Sequence, residues 1–190
     1  MRTSRPLPVV NARTLTPVNT GPVELPDPDR LVHLQFRRFA GCPVCNLHLR
    51  SVVRRHAEIE AAGVREVVLF HSPADELREH VAELPIAVVA DPEKRLYREF
   101  GVEAGRRALL DPRAWLPIVR AVLTGTWQVL RGRERLPAGT PHGGRLGLPA
   151  DFLIAPDGRI VAAHHGQHAY DQWPVDTLLA LAAAHRPTRG

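Results

Sequence analysis

Three short runs rich in strand formers, "LVHLQF" at 31–36, "VVLF" at 67–70 and "IAVVA" at 86–90, are each followed by a segment with helical spacing. This alternation constrains the fold more than any other feature. Strands separated by helices pair in parallel, and such a sheet is covered on both faces. The first helix is read from Leu49, Val52, Val53 and Ile59 and stops at Gly63. The second is expected over 72–84, opening on Ser72 and Pro73, and the third over 92–100, stopped by Gly101. Further on, 152–163 reads as two strands joined by a turn at Asp157-Gly158, a hairpin signal. Val175, Leu178, Leu179 and Ala182 mark a last amphipathic helix. The hairpin adds antiparallel strands. The expected architecture is therefore α/β, a central mixed sheet with helices on both faces.

Two stretches stand outside this pattern. Residues 1–30 are rich in proline and lack helical periodicity, so an extended arm is expected, with one short strand near 22–25. The body is expected over 31–186, interrupted by an insertion at about 102–147. That insertion contains "WLPIVRAVLTGTWQVL", an apolar helical stretch broken at Pro117 and Gly125, between glycine- and arginine-rich loops.

Composition narrows the partners. Apolar residues at 44% build a core, and charged residues at 24% suit a globular surface. The net charge is +5, and Lys94 is the only lysine among 25 basic residues. The arginines are spread along the chain with no basic run interleaved with aromatics, so no nucleic acid is expected. No apolar segment is long enough to span a bilayer, and 1–22 lacks the continuous apolar core of a signal peptide. The expectation is a cytoplasmic protein with no membrane partner.

Structural disulfides are rare in that compartment. Yet the only two cysteines, Cys42 and Cys45, stand close together in "FAGCPVC", where a strand ends and a helix begins. Free backbone N–H groups and the helix dipole favour an anion at such a position, and a thiolate is one. The spacing puts both sulfurs on one side of the first turn, within reach of a disulfide. Pro43 is tolerated because its missing N–H falls in that turn. Arg37 and Arg38 add positive potential if they point towards the thiols. Two other readings exist: inert core cysteines, or half a zinc site completed from His142, His164, His165 and His168. Alternation puts His164 and His165 on opposite faces of any strand that reaches them. That argues against both joining one metal with the dithiol, so neither a metal nor another cofactor is expected.

Three blocks carry a family likeness: "LVHLQFRRFAGCPVCNLHLR", "VVADPEKRLYREFGV" and "LGLPADFLIAPDGRIVAAHHG". In order and spacing they resemble the thioredoxin-like fold, and within it the peroxiredoxin-like branch of the alkyl-hydroperoxide-reductase and thiol-specific-antioxidant (AhpC/TSA) superfamily. The likeness spans most of 31–184. It implies a thiol–disulfide oxidoreductase whose Cys42 and Cys45 cycle through a mutual disulfide, with hydroperoxides among its substrates. It also implies that Pro149 is the cis-proline facing the cysteines, so that the insertion precedes the cis-proline strand. Pro149, Arg38 and Pro43 are then the supporting residues. The implied partners are a thioredoxin-type or low-molecular-weight thiol reductant and a peroxide or disulfide substrate, with a homodimer interface one use for the insertion.

The sequence also departs from its relatives. A typical peroxiredoxin has a proline seven residues before its reactive cysteine and Thr or Ser three before it. Counting back gives Arg38 and Cys42 from Cys45, and Gln35 and Phe39 from Cys42. Gly41 stands where thioredoxins carry an aromatic residue. If the chemistry is thioredoxin-like, Cys42 attacks and Cys45 resolves; if peroxiredoxin-like, the roles reverse. Exposure at the helix start favours Cys42 as the acidic thiol. The competing class is a non-catalytic redoxin-fold binding module with an inert or zinc-bound dithiol.

Overall fold

Residues 31–36 form the centre of a five-stranded mixed sheet, where the apolar Leu31, Val32, Leu34 and Phe36 suit a strand buried on both faces. The computed structural model describes residues 9–39, 41–81, 83–102, 119 and 147–185. Among them, in chain order, lie β1 (Arg13–Leu15), β2 (Val23–Leu25), β3 (Leu31–Phe36), α1 (Pro43–Arg54), α2 (His56–Ala61) and β4 (Val64–Phe70). They are followed by α3 (Ala74–Val81), β5 (Ala87–Ala90), α4 (Arg95–Glu99), β6 (Ala150–Ile154), β7 (Ile160–His165) and α5 (Val175–Ala184). The sheet order is β5-β4-β3-β6-β7. The β3–β4 and β4–β5 pairs are parallel, whereas β6 runs antiparallel to both β3 and β7. The alternating pattern and the terminal hairpin therefore produce the mixed sheet expected from them, in a thioredoxin-like arrangement.

Three expectations need correction. The helix expected to run to Gly63 is two helices, broken at Arg55. Arg55 leaves helical geometry (φ −111°, ψ 19°), and its guanidinium joins Glu58 of α2 to Asp176 of α5. The arm holds two strands rather than one, and β1 pairs antiparallel with β2. Three residues are too few for β1 to show a period. Finally, the cis peptide among the described residues is Leu25–Pro26, not the bond before Pro149. Pro149 enters β6 through the trans bond usual for proline, at a strand start where no N–H is needed. The helical stretch of the insertion lies outside the described residues.

The two faces of the sheet differ. Val32, Leu34 and Phe36 of β3 join Val67, Leu69, Phe152 and Ile154 in one apolar cluster with Leu15, Val23, Leu25 and Tyr97. Each fully buried side chain of this size contributes about 1.5–3 kcal/mol. On the other face, α1, α3 and α5 cover two separate apolar clusters, one around Phe70 and Leu77 and one around Leu153 and Leu178. Alternation turns His33, Gln35, Glu66 and Asp151 onto this second face, and all four are buried.

Candidate active site

The chain leaves β3 through Arg37, Arg38 and Phe39 and turns at Gly41, whose φ of +70° suits glycine. Cys42 caps α1, Pro43 occupies its first turn, and Cys45 follows within that turn. Both cysteines are reduced and buried, at 0% and 1% exposure. Arg38 Nη2 donates to Cys42 Sγ at 3.1 Å, and its guanidinium lies 5.6 Å from the centre of the Phe39 ring. The thiols share a hydrogen bond, and this decides their acidity. Donation from Cys42 pulls Cys45 down to about 6, against the cost of burial and with help from the Arg38 charge and the Arg38 backbone N–H. Burial and the neighbouring Cys45 push Cys42 well above its ordinary value, which Arg38 only partly offsets. The shared hydrogen bond thus lowers Cys45 and raises Cys42, whereas position at the helix start favours Cys42.

Arg38 stays beside the thiols because its backbone is pinned. Arg37 N–H donates to Leu69 O at 2.9 Å, and His71 N–H donates to Arg38 O at 3.1 Å. The buried Tyr97 hydroxyl reaches both Arg37 O and Leu69 O. Gly147 lies alongside; a β-carbon there would sit 3.3 Å from Arg38 Cγ and 3.5 Å from His71 Nε2.

Arg37 turns the other way from Arg38, as alternation requires. It is fully buried and donates to Gln35 Oε1, to Asp151 Oδ1 at 2.9 Å and to His48 Nδ1 at 3.4 Å. His33 lies between two carboxylates, with Nδ1 3.0 Å from Glu66 and Nε2 3.4 Å from Asp151. Gln35 Nε2 donates to Glu66 Oε2. Burial alone would depress His33, but the Glu66 charge, aided by Asp151, raises it to about 9. Burial works against the Asp151 carboxylate, yet Arg37 and His33 hold it well below the usual range. Burial and the Arg37 charge lower His48 to about 4. At neutral pH, therefore, the Asp151 carboxylate faces Arg37 and a protonated His33, and His48 is neutral. Of this group the sequence reading singled out only Arg37, as a charge beside the thiols. The available signal was the polar His33 and Gln35 inside a strand that the parallel pattern buries on both sides.

Pro149, the remaining expected site residue, packs against Gly166. Its carbonyl accepts the Gly166 N–H at 2.8 Å, and a β-carbon on Gly166 would come within 2.7 Å of the proline ring. The histidines considered as metal ligands are engaged elsewhere. His164 Nε2 lies 3.0 Å from Asp171, His165 Nε2 3.3 Å from Phe100 O, and His168 Nδ1 accepts the Tyr170 N–H at 3.3 Å. His142 lies outside the described residues. Among the described residues no three His, Cys, Asp or Glu side chains group to hold a metal, and no helix is long and apolar enough to cross a membrane.

A dithiol at the C-terminal end of the central strand, beside an arginine, on a β5-β4-β3-β6-β7 mixed sheet, defines a thioredoxin-like redoxin. The family model described as AhpC/TSA antioxidant enzyme matches residues 51–168. The chain belongs to that family, although the matched segment begins after Cys45. Three solved structures show the same fold. The peroxidoxin BcpB of Mycobacterium tuberculosis is 17% identical, with 96% of this chain and 98% of that one aligned and a TM-score of 0.66. Peroxiredoxin Q of Xanthomonas campestris is 16% identical over 91% of this chain and 90% of its own, with a TM-score of 0.60. A peroxiredoxin 6 of Arenicola marina is 15% identical over 94% and 72% respectively, with a TM-score of 0.65. No curated protein sequence matches the chain.

Proposed function

We propose that the protein is a thiol-dependent peroxidase in which Cys45 attacks and Cys42 resolves. The arrangement that supports this reading is the hydrogen-bonded thiol pair beside Arg38, whose guanidinium reaches Cys42 Sγ at 3.1 Å and whose charge favours the Cys45 thiolate. The thiolate is the nucleophilic form of cysteine. Membership of the AhpC/TSA family, and the peroxiredoxin names of the structural relatives, support a hydroperoxide as oxidant.

In the first step the Cys45 sulfur attacks the terminal oxygen of ROOH. The O–O bond breaks, Cys45 becomes a sulfenic acid that keeps the hydroperoxide's hydrogen, and the alkoxide leaves as ROH after taking a proton from water. Arg38 is placed to offset the negative charge that moves from sulfur to the leaving oxygen. In the second step the Cys42 sulfur attacks Cys45 Sγ, the S–O bond breaks, and water leaves as the Cys42–Cys45 disulfide forms. Pro43, in the first turn between them, leaves the two cysteines adjacent. A thioredoxin-type protein or a low-molecular-weight thiol, both available in a reducing cytoplasm, then transfers two electrons and two protons to restore the dithiol. Pro149 and Gly166 form the corner that leads into β6.

The test is a sulfenic-acid trap. Cys42→Ser treated with one equivalent of hydrogen peroxide is expected to accumulate a dimedone adduct at Cys45, and Cys45→Ser to give none at Cys42. An adduct on Cys42 in Cys45→Ser, with none on Cys45 in Cys42→Ser, would reverse the roles. No adduct in either variant would remove peroxide as the oxidant.

A further inference from the structure

Four hydrogen bonds among the buried polar groups close a ring. Arg37 Nη2 donates to Asp151 Oδ1 at 2.9 Å and to His48 Nδ1 at 3.4 Å. His48 Nε2 lies 2.9 Å from Trp173 O, and the Trp173 N–H donates to Asp151 Oδ2 at 3.1 Å. A carbonyl oxygen only accepts, so Nε2 carries the imidazole proton and Nδ1 offers its lone pair to Arg37. Each ring member belongs to a different part of the fold: the exit from β3, the middle of α1, the segment before α5, and β6. His48 lies three residues after Cys45, on the same side of α1 one turn on. Arg37 directly precedes Arg38, the side chain that meets the thiols. The ring thus grips both halves of the site from below, one through α1 and one through the β3 exit.

We propose that Asp151 is a positioning residue for the dithiol: by closing the Asp151–Arg37–His48–Trp173 ring it fixes the register of α1 against the Arg37–Arg38 segment, and so holds Arg38 and both sulfurs in hydrogen-bonding contact. Asp151 touches neither thiol and acts through Arg37 and His48. The inference rests on the dithiol reading above. Glu66 provides the internal control. It is as deeply buried and belongs to the same charge cluster through His33 and Gln35, but lies outside the ring.

The role predicts a sign that charge alone does not. Asp151 is an anion faced by Arg37, His33 and His48, with Glu66 beyond His33. Acting only as a charge, its neutralisation would favour the thiolate and make the acidic thiol more acidic. Acting as a positioning group, its loss lets α1 drift from Arg38 and makes that thiol less acidic.

The experiment measures iodoacetamide alkylation of the full-length reduced protein against pH. Asp151→Asn is expected to raise the midpoint of the acidic thiol by about one unit or more, a tenfold loss of thiolate on the acid side. Glu66→Gln is expected to leave it in place. His48 supplies a pair of variants that keep the charge of the ring unchanged. His48→Phe is expected to raise the midpoint as Asp151→Asn does. His48→Gln, with one donor and one acceptor, is expected to keep the wild-type midpoint. An unchanged or lowered midpoint in Asp151→Asn overturns the proposal, as does an equal rise in Glu66→Gln or equal midpoints in His48→Phe and His48→Gln. Should Asp151→Asn not fold, the two His48 variants decide alone. A wild-type protein with no acidic thiol would instead overturn the dithiol reading itself.

Discussion

Cys42 and Cys45 differ less in burial than in their parts in one hydrogen bond, which lowers Cys45 and raises Cys42, while the Arg38 charge favours a thiolate at either sulfur. Variants that separate these causes have different expected outcomes. Cys42→Ser keeps a hydroxyl donor and should leave Cys45 acidic, whereas Cys42→Ala removes the donor and should raise Cys45 towards the free value near ~8.5. Arg38→Met removes the cation and should raise Cys45 by about one unit or more. The ultraviolet absorbance of the thiolate against pH reads all three. Equal midpoints in Cys42→Ser and Cys42→Ala would show that the shared hydrogen bond does not set the acidity. The dithiol and Arg38 were legible in the sequence because they lie within a few residues of one another at a junction with known electrostatics. The choice between the sulfurs was not legible. It depends on the direction of one hydrogen bond, which residue order does not fix.

At the scale of elements, the polar face of β3 could not be assembled from the sequence. His33 and Gln35 alternate with apolar neighbours, Asp151 lies between Ala150 and Phe152 in β6, and Glu66 follows Arg65 in β4. Taken singly, each reads as a solvent-facing position. Only the register, which sets His33 opposite Glu66 and Gln35 opposite Asp151, turns four such positions into one buried cluster. The cluster also makes stability depend on pH. His33 rises to about 9 on folding, so its contribution is complete below its unfolded value of 6.5 and is lost as pH rises through about 9. Cys45 falls from 9.0 to about 6, so its contribution is complete above 9.0 and is lost as pH falls through about 6. Between roughly pH 6.5 and 9 the two slopes oppose each other. In urea melts across that window, the reduced wild type should change little. Cys45→Ser should lose stability as pH rises, and His33→Gln should gain it. Parallel slopes in all three proteins would contradict this assignment of the buried charges.

For the molecule as a whole, the site lies where such sheets place their sites, beyond the carboxyl ends of adjacent parallel strands. The alternating runs made the sheet legible, and Asp157-Gly158 marked the β6–β7 turn. The break at Arg55 was not legible, because the apolar spacing from Leu49 to Ile59 continues across it. Nor was the packing of the arm. Val18 N–H donates to Val88 O of β5 at 2.8 Å, and Asn19 Nδ2 reaches the carbonyls of Val81, Leu84 and Ile86. These contacts join segments more than 60 residues apart. They tie the proline-rich N-terminal stretch to the far edge of the sheet, and no local pattern announces them. The account as a whole stands on a dithiol that turns over within one chain. Its most direct test is to add one equivalent of hydrogen peroxide to the reduced wild type, then count thiols and measure the intact mass. The account predicts loss of both thiols, a monomeric product lighter by two hydrogens, and full recovery on adding a dithiol reductant. Persistent thiols, or oxidation that yields chiefly disulfide-linked dimers, would contradict it.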